Sequence, residues 1–312
     1  MRAVVVGAVE SSQIAIEAIA AAQGWTVACV VSLPCELAGR HDDFVDLAAV
    51  AAAVGARLHR VPNINDAAAL DVIAAAQADY AFVIGWSQIC GSGFRELMGA
   101  RVIGYHPAPL PRMRGRAVIP WTILSGEPIS GGTLFWIDEG VDTGDILAQR
   151  FFHVAPDETA ATLYAKHMRE LRSMLEEALP ALSGDVIPRR PQDERYATWA
   201  ARRTRLDGAI NWSLPAADIA RLVRAVTDPY SGAYTFAGAN RLTIWQARAA
   251  PDTQRHLAAP GQVIALGEGV FTVMCGDGAG LSVTEWTSIT GEPPRQHGRL
   301  RPTEAGKGGC DA

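Results

Sequence analysis

Up to about residue 99 the chain alternates short apolar runs with longer stretches of helical periodicity. Residues 4–6 read as a buried strand ending at Gly7, and residues 11–23, alanine-rich and opened by serines, as a helix. Strands follow at 27–31, 57–61 and 80–84, separated by helical patterns at 44–54, which Gly55 stops, and at 67–77, with Asn65 as a cap. Repeated strand–helix units bury strands on both faces, so the expected fold is α/β, a Rossmann-like doubly wound parallel sheet. A further apolar run, 102–105, leads into three prolines between Pro107 and Pro111. A helix is expected at 116–124, strands at 132–137 and 151–154, and the longest helix at 159–182. Leu163, Met168, Leu171, Leu175 and Leu179 form the apolar face of that last helix, and His167 within it reads as solvated or packed.

From Asp207 the pattern changes to a short helix near 218–225 and short strands at 234–236, 242–247, 261–265, 270–275 and 281–286. Gly, Asn and Asp turns separate these strands, as in a small barrel or sheet. The expected division is residues 1–188, a linker at 189–206, a β domain at 207–297 and a disordered tail at 298–312.

Charge and composition narrow the classes. The formal net charge of −5 argues against a large nucleic-acid footprint, which needs a basic face. No apolar run reaches the ~18 residues of a membrane span, and the N-terminus reads as a strand rather than a signal peptide, so a cytoplasmic chain is expected. Five scattered cysteines with no CxxC pair favour reduced thiols over disulfides or zinc, and no metal is expected. Gly7-Ala8-Val9-Glu10-Ser11-Ser12 is not GxGxxG, and no GxxxxGK[ST] occurs, so phosphate-loop cofactors are unsupported.

The candidate chemistry lies in two stretches. Gly104-Tyr105-His106-Pro107 continues through Leu110-Pro111-Arg112-Met113-Arg114-Gly115, and Ile137-Asp138-Glu139-Gly140-Val141-Asp142-Thr143-Gly144-Asp145 echoes it. Proline fixes φ and lacks a backbone donor, so the first stretch leaves its strand as a rigid loop with an imidazole at the mouth. A His and a carboxylate on two rigid loops suit acid–base chemistry. From spacing alone, a strand-capping His106 and a turn-closing Asp142 explain the residues equally well.

The paired motifs His-Pro-x-x-Leu-Pro-x-x-Arg-Gly and Asp-x-Gly-x-Asp-Thr-Gly-Asp-Ile-Leu resemble those of the folate-dependent formyltransferases. That family includes methionyl-tRNA formyltransferase and the N-formyltransferases of nucleotide-linked amino sugars. The likeness extends to the opening strand, to Gly85-Trp86-Ser87-Gln88-Ile89 and to the block near Asn211-Trp212. It implies an OB-like C-terminal domain and N10-formyltetrahydrofolate as formyl donor. It implies further that His106 contacts the oxyanion and handles the proton, and that Asp142 orients His106 and takes the amine proton. Trp86, Ser87, Gln88, Ile89, Val141, Asp142, Thr143 and Asp145 would hold the folate, and Pro107, Arg112, Arg114, Gly115 and Arg116 the acceptor. The family pattern Asn-x-His is broken here, because Gly104 occupies the Asn position. Three explanations compete: a backbone N–H or water beside Gly104 replaces the amide, Gln88 or Asn63 reaches in, or the site is impaired or uses another donor.

The acceptor implied is a nucleotide-linked amino sugar, with a homodimer as one option for the assembly. The loop at 32–43 carries one arginine against three acidic residues, where the tRNA enzymes usually carry a basic insertion. The Arg202-Arg203-Thr204-Arg205 cluster before Asp207-Gly208 suits a diphosphate or a structural role. The alternatives are methionyl-tRNA formyltransferase, a non-catalytic folate-binding relic and a folate hydrolase with water as acceptor.

Overall fold

The computed structural model of the chain describes residues 1–250, 253 and 255–303. It divides into two compact units, one of Met1–Val118, Pro128–Val154 and Tyr164–Ala201, the other of Ile119–Glu127, Ala155–Leu163 and the chain from Arg202 onward.

The first unit is built from β1 (Arg2–Val6), α1 (Glu10–Ala21), β2 (Thr26–Ser32), α2 (Ala48–Ala53), β3 (Arg57–Arg60), α3 (Ala67–Ala75), β4 (Tyr80–Val83), α4 (Ser92–Leu97), β5 (Val102–His106) and β6 (Arg114–Gly115). The chain passes through α5 (Val118–Leu124), which from Ile119 belongs to the second unit. The first unit resumes with β7 (Ile129–Trp136), β8 (Ile146–His153), α6 (Ala160–Leu182, in this unit from Tyr164) and β9 (Trp199–Ala200). Seven strands form one sheet in the order β3-β2-β1-β4-β5-β7-β8, the first five parallel and β7 and β8 antiparallel. Val5, Phe82, Ile103 and Trp136 pack with α1 and α6 on one face, and Val4, Ala81 and Val102 pack with Ile73 and Phe94 of α3 and α4 on the other. All five apolar residues expected on the inner face of α6 are buried. The indole N–H of Trp25 donates to Leu179 O and Tyr80 Oη to Leu182 O, tying the end of α6 to the sheet.

Several boundaries shift for visible reasons. The helix expected at 44–54 starts only at Ala48, because Phe44 bridges Val9 and Val45 N donates to Ala8 O. The strand expected at 151–154 begins at Ile146, where it already pairs with Phe135. The expected linker is ordered through Ala201: Arg190 exchanges both backbone bonds with Ile146, and β9 pairs with β6.

The second unit contains α7 (Ala216–Val226) and a five-stranded antiparallel sheet, the OB-like expectation. Its strands are β10 (Ala233–Ala237), β11 (Asn240–Ala250), β12 (Val263–Leu266), β13 (Phe271–Met274) and β14 (Gly280–Ser288), in the order β10-β11-β14-β13-β12. The expected tail needs correction at its start. Arg299 bridges Gln262, Leu300 is buried and Arg301 exchanges backbone bonds with Phe236. Residues 304–312, including Cys310, lie outside the described residues.

Candidate active site

His106 is the last residue of β5, on the same face as Val102 and Gly104, since strand residues alternate. Its ring is 7% exposed, and Nε2 lies 2.7 Å from the carbonyl oxygen of Met113. A carbonyl only accepts, so Nε2 carries the proton of the neutral ring and Nδ1 keeps its lone pair. Nδ1 faces Asp142 Oδ2 at 3.6 Å. A proton arriving at Nδ1 therefore meets a carboxylate that stabilises the imidazolium.

Both loops are braced. Thr133 Oγ1 donates to Ala108 O and accepts from Leu110 N, and Gln149 Nε2 donates to Leu110 O, which pins the proline loop to β7 and β8. Met113 sits at φ +59° and donates its N–H to Thr198 Oγ1 at 2.8 Å, which aims its carbonyl at His106. Asp142 sits at φ +56°, and its Oδ2 accepts from Gly115 N at 2.8 Å. Asp138 Oδ1 caps the same loop by accepting from Gly140 N and Thr143 Oγ1. The Met113 carbonyl and Thr198 have no motif in the sequence, because a backbone acceptor leaves no residue signature.

The structure brings His106, Asp142 and Gly115 together and distributes the other expected residues less evenly. Arg114 does not present itself to an acceptor. It is 1% exposed, its guanidinium bonded to both carboxylate oxygens of Glu194 and to Gln192 Oε1. Arg112 and Arg116 are exposed, and Pro107 is half-buried. Among the folate candidates, Ser87, Ile89 and Val141 are exposed, while the buried indole N–H of Trp86 has no hydrogen-bond partner among the described residues and suits a ligand acceptor. Thr143 and Asp145 line an open cavity of about 440 Å³ with Arg95, Glu96, Asp138 and Arg189.

Neither expected substitute amide is free. Gln88 accepts from Ile64 N and donates to Pro62 O, and Asn63 is bonded to Asp66 and Asn65. Close approach at Gly104 comes from a ring. An ideal Cβ there would lie 2.8 and 2.9 Å from Cε1 and Cζ of Phe135, the residue paired with Gly104 across β5 and β7.

Tyr105 points the other way, its hydroxyl 3.1 Å from Nδ1 of His167. His167 is packed, as one of the two expected alternatives: fully buried, edge-on to Phe152, and with its Nε2 unpartnered among the described residues. Burial, helped by the nearby charge of His106, pushes the His167 pKa down to about 3. The unfolded chain binds this proton below its ordinary pKa of ~6.5, and the folded chain does not until about 3. Stability is therefore lost as pH falls through that window. From pH ~7.5 to ~5 the loss is expected to be about 2 kcal/mol, and His167→Gln should remove that part of the slope. Urea unfolding of both proteins at the two pH values checks it; equal slopes would show that His167 contributes nothing to acid sensitivity.

In the second unit, Arg203 stacks over Trp121 at 4.9 Å and donates to Asp207 O, while Asp207 bonds the Thr204 backbone and hydroxyl. Arg203 and Asp207 of that cluster thus serve local structure. Among the described residues no three His, Cys, Asp or Glu side chains are grouped to hold a metal, and no helix is long and apolar enough to cross a membrane.

Residues 1–179 match the formyl transferase family, and residues 203–292 match the formyl transferase C-terminal domain. Among solved structures the chain is similar to WlaRD, a sugar 3N-formyl transferase crystallised in the presence of dTDP and 5-N-formyl-THF. The two are 18% identical over 91% of this chain and 97% of that one, with a TM-score of 0.67. The N-formyltransferase from Helicobacter canadensis, in complex with folinic acid and dTDP-3-aminofucose, is 17% identical over 90% of this chain and 98% of that one, TM-score 0.66. HypX from Aquifex aeolicus in complex with tetrahydrofolic acid is 18% identical over 93% of this chain but only 44% of that one, TM-score 0.64. At these identities the likeness to solved structures establishes the fold.

Proposed function

The chain belongs to the formyl transferase family, and from that premise we propose that it moves a formyl group from N10-formyltetrahydrofolate to the primary amine of a nucleotide-linked amino sugar. The observation that carries the reading is the His106–Asp142 pair, with Nε2 committed to Met113 O and Nδ1 open toward a carboxylate. The donor supplies the formyl carbon that the amine attacks and a nitrogen that must leave with a proton. His106 Nδ1 takes the proton released by the amine as the new C–N bond forms. Asp142 holds the resulting imidazolium, whose Nδ1–H is then the donor beside the developing oxyanion and afterwards returns its proton to the leaving nitrogen. Proton and formyl group both balance, and the ring returns to its neutral tautomer.

The 84–90 turn and the 138–145 loop are the walls proposed for the folate, with Trp86 Nε1 as the unspent donor. Arg112 and Arg116, both exposed, are kept as acceptor-side cations; Arg114 is withdrawn from that role. The amino-sugar acceptor is supported by the dTDP-3-aminofucose bound to the Helicobacter canadensis enzyme. The net charge of −5 gives a tRNA little to bind. The test offers the protein N10-formyltetrahydrofolate with a panel of amino-sugar nucleotides in one reaction and initiator methionyl-tRNA in another, read by mass spectrometry. A gain of one formyl group on a sugar is expected; formylation of the tRNA instead would reverse the acceptor assignment.

A further inference from the structure

Gln192 lies in the segment that sequence composition marks as a linker. Its Oε1 accepts from Arg114 Nε at 3.1 Å and Nη2 at 2.8 Å, and its Nε2 donates to Asp142 O and Gly144 O, each at 2.8 Å. One end of the amide meets only donors and the other only acceptors, so its orientation is fixed by chemistry. Arg114 follows Met113, whose carbonyl holds His106, and precedes Gly115, whose N–H holds Asp142. A single side chain thus clasps the loop that fixes the imidazole and the loop that carries the carboxylate.

We propose that Gln192 is a positioning residue that sets the His106–Asp142 spacing; this rests on the formyl-transfer reading of that pair. The 3.6 Å between Nδ1 and Oδ2 exceeds a direct hydrogen bond, so the site works in a range where small displacements decide whether the imidazolium meets its counter-charge. A misplacement of about 1 Å at a reacting centre costs on the order of 10² in rate. Buried Arg114 makes the clasp stiff, because its guanidinium is shared between Gln192 and Glu194 and cannot turn to solvent.

Two variants test it in the full-length chain. Gln192→Glu keeps the length and the acceptor toward Arg114 but sets an oxygen against two carbonyl oxygens; Gln192→Met keeps the bulk and loses all four bonds. For both, kcat with the amine that the wild type formylates is expected to fall roughly 10- to 100-fold, more than the folate Kd rises, although Gln192 also steadies the 138–145 wall proposed for the folate. Hydrogen–deuterium exchange, which needs no turnover, is expected to rise together in peptides spanning 112–116 and 139–145. Unchanged kcat well below the melting temperature would overturn the proposal. So would exchange that rises in neither loop or in one alone. If the wild type formylates no amine, the formyl-transfer reading fails by itself, and the exchange experiment still decides whether Gln192 couples the loops.

Discussion

Replacing Asp142 by asparagine is expected to lower kcat by about 10²–10⁴-fold while the fold and folate affinity persist. Asparagine is the informative choice because residue 142 sits at φ +56°, a region that Asn and Asp tolerate better than other side chains. Its amide oxygen can also keep the bond from Gly115 N, so the variant removes a charge and little else. Without that charge a proton reaching Nδ1 of His106 has no anion to meet, and the step that makes the amine nucleophilic loses its stabilisation. Steady-state kinetics, a folate titration and a thermal melt together check the expectation. Turnover within a few-fold of wild type would remove Asp142 from the mechanism.

The second large effect is expected at Gly104, in the direction opposite to restoring an amide. From the sequence alone, Gly104→Asn is expected to preserve or improve activity if the site merely lacks a donor. The structure predicts a loss, because the first atom of any side chain would lie 2.8 Å from the Phe135 ring, which is itself buried. Overpacking of this kind costs typically ~1–3 kcal/mol, and the strain falls two residues from His106. Gly104→Asn should therefore melt earlier and transfer formyl more slowly. Phe135→Ala should cost less when combined with Gly104→Asn than it does alone, since the truncated residue vacates part of the space that Asn needs. Residues in contact commonly couple by ~0.5–3 kcal/mol, so a double-mutant cycle of melts and rates reads the exchange directly. Additive effects would mean that Phe135 and Gly104 do not share the space, and an active single variant would mean that the ring moves aside.

These two residues also mark how far the sequence could be read. The parallel βα units and the inner face of α6 were legible, because periodicity is a local signal. The meeting of His106 with Asp142 followed only from the family resemblance, since spacing alone fits a capping His and a turn-closing Asp equally well. The role of Phe135 was not, since an apolar residue in an expected strand says nothing about which cross-strand neighbour lacks a side chain. Arg114 is expected on the acceptor side only through the family resemblance, as the arginine of the Leu-Pro-x-x-Arg-Gly motif. Only its neighbours Gln192 and Glu194, some 80 residues away, show it to be a buried brace. The segment at 189–206 reads as a linker from the prolines at its start, but its order through Ala201 comes from backbone pairing with β6 and Ile146, to which side-chain composition is blind. Gln88 and Asn63 were plausible substitute amides by type, and their commitment to the 62–66 turn depends on geometry alone.

The most direct test of the central claim, a working His106–Asp142 formyl transferase with glycine in place of the amide, is a single turnover with donor carrying ¹³C in the formyl group. The account predicts that the label appears in an N-formyl amide on the amino-sugar nucleotide, one for each tetrahydrofolate released. Label recovered as formate would make water the acceptor, and label retained on folate that binds but never turns over would leave a binding protein without the chemistry assigned to it.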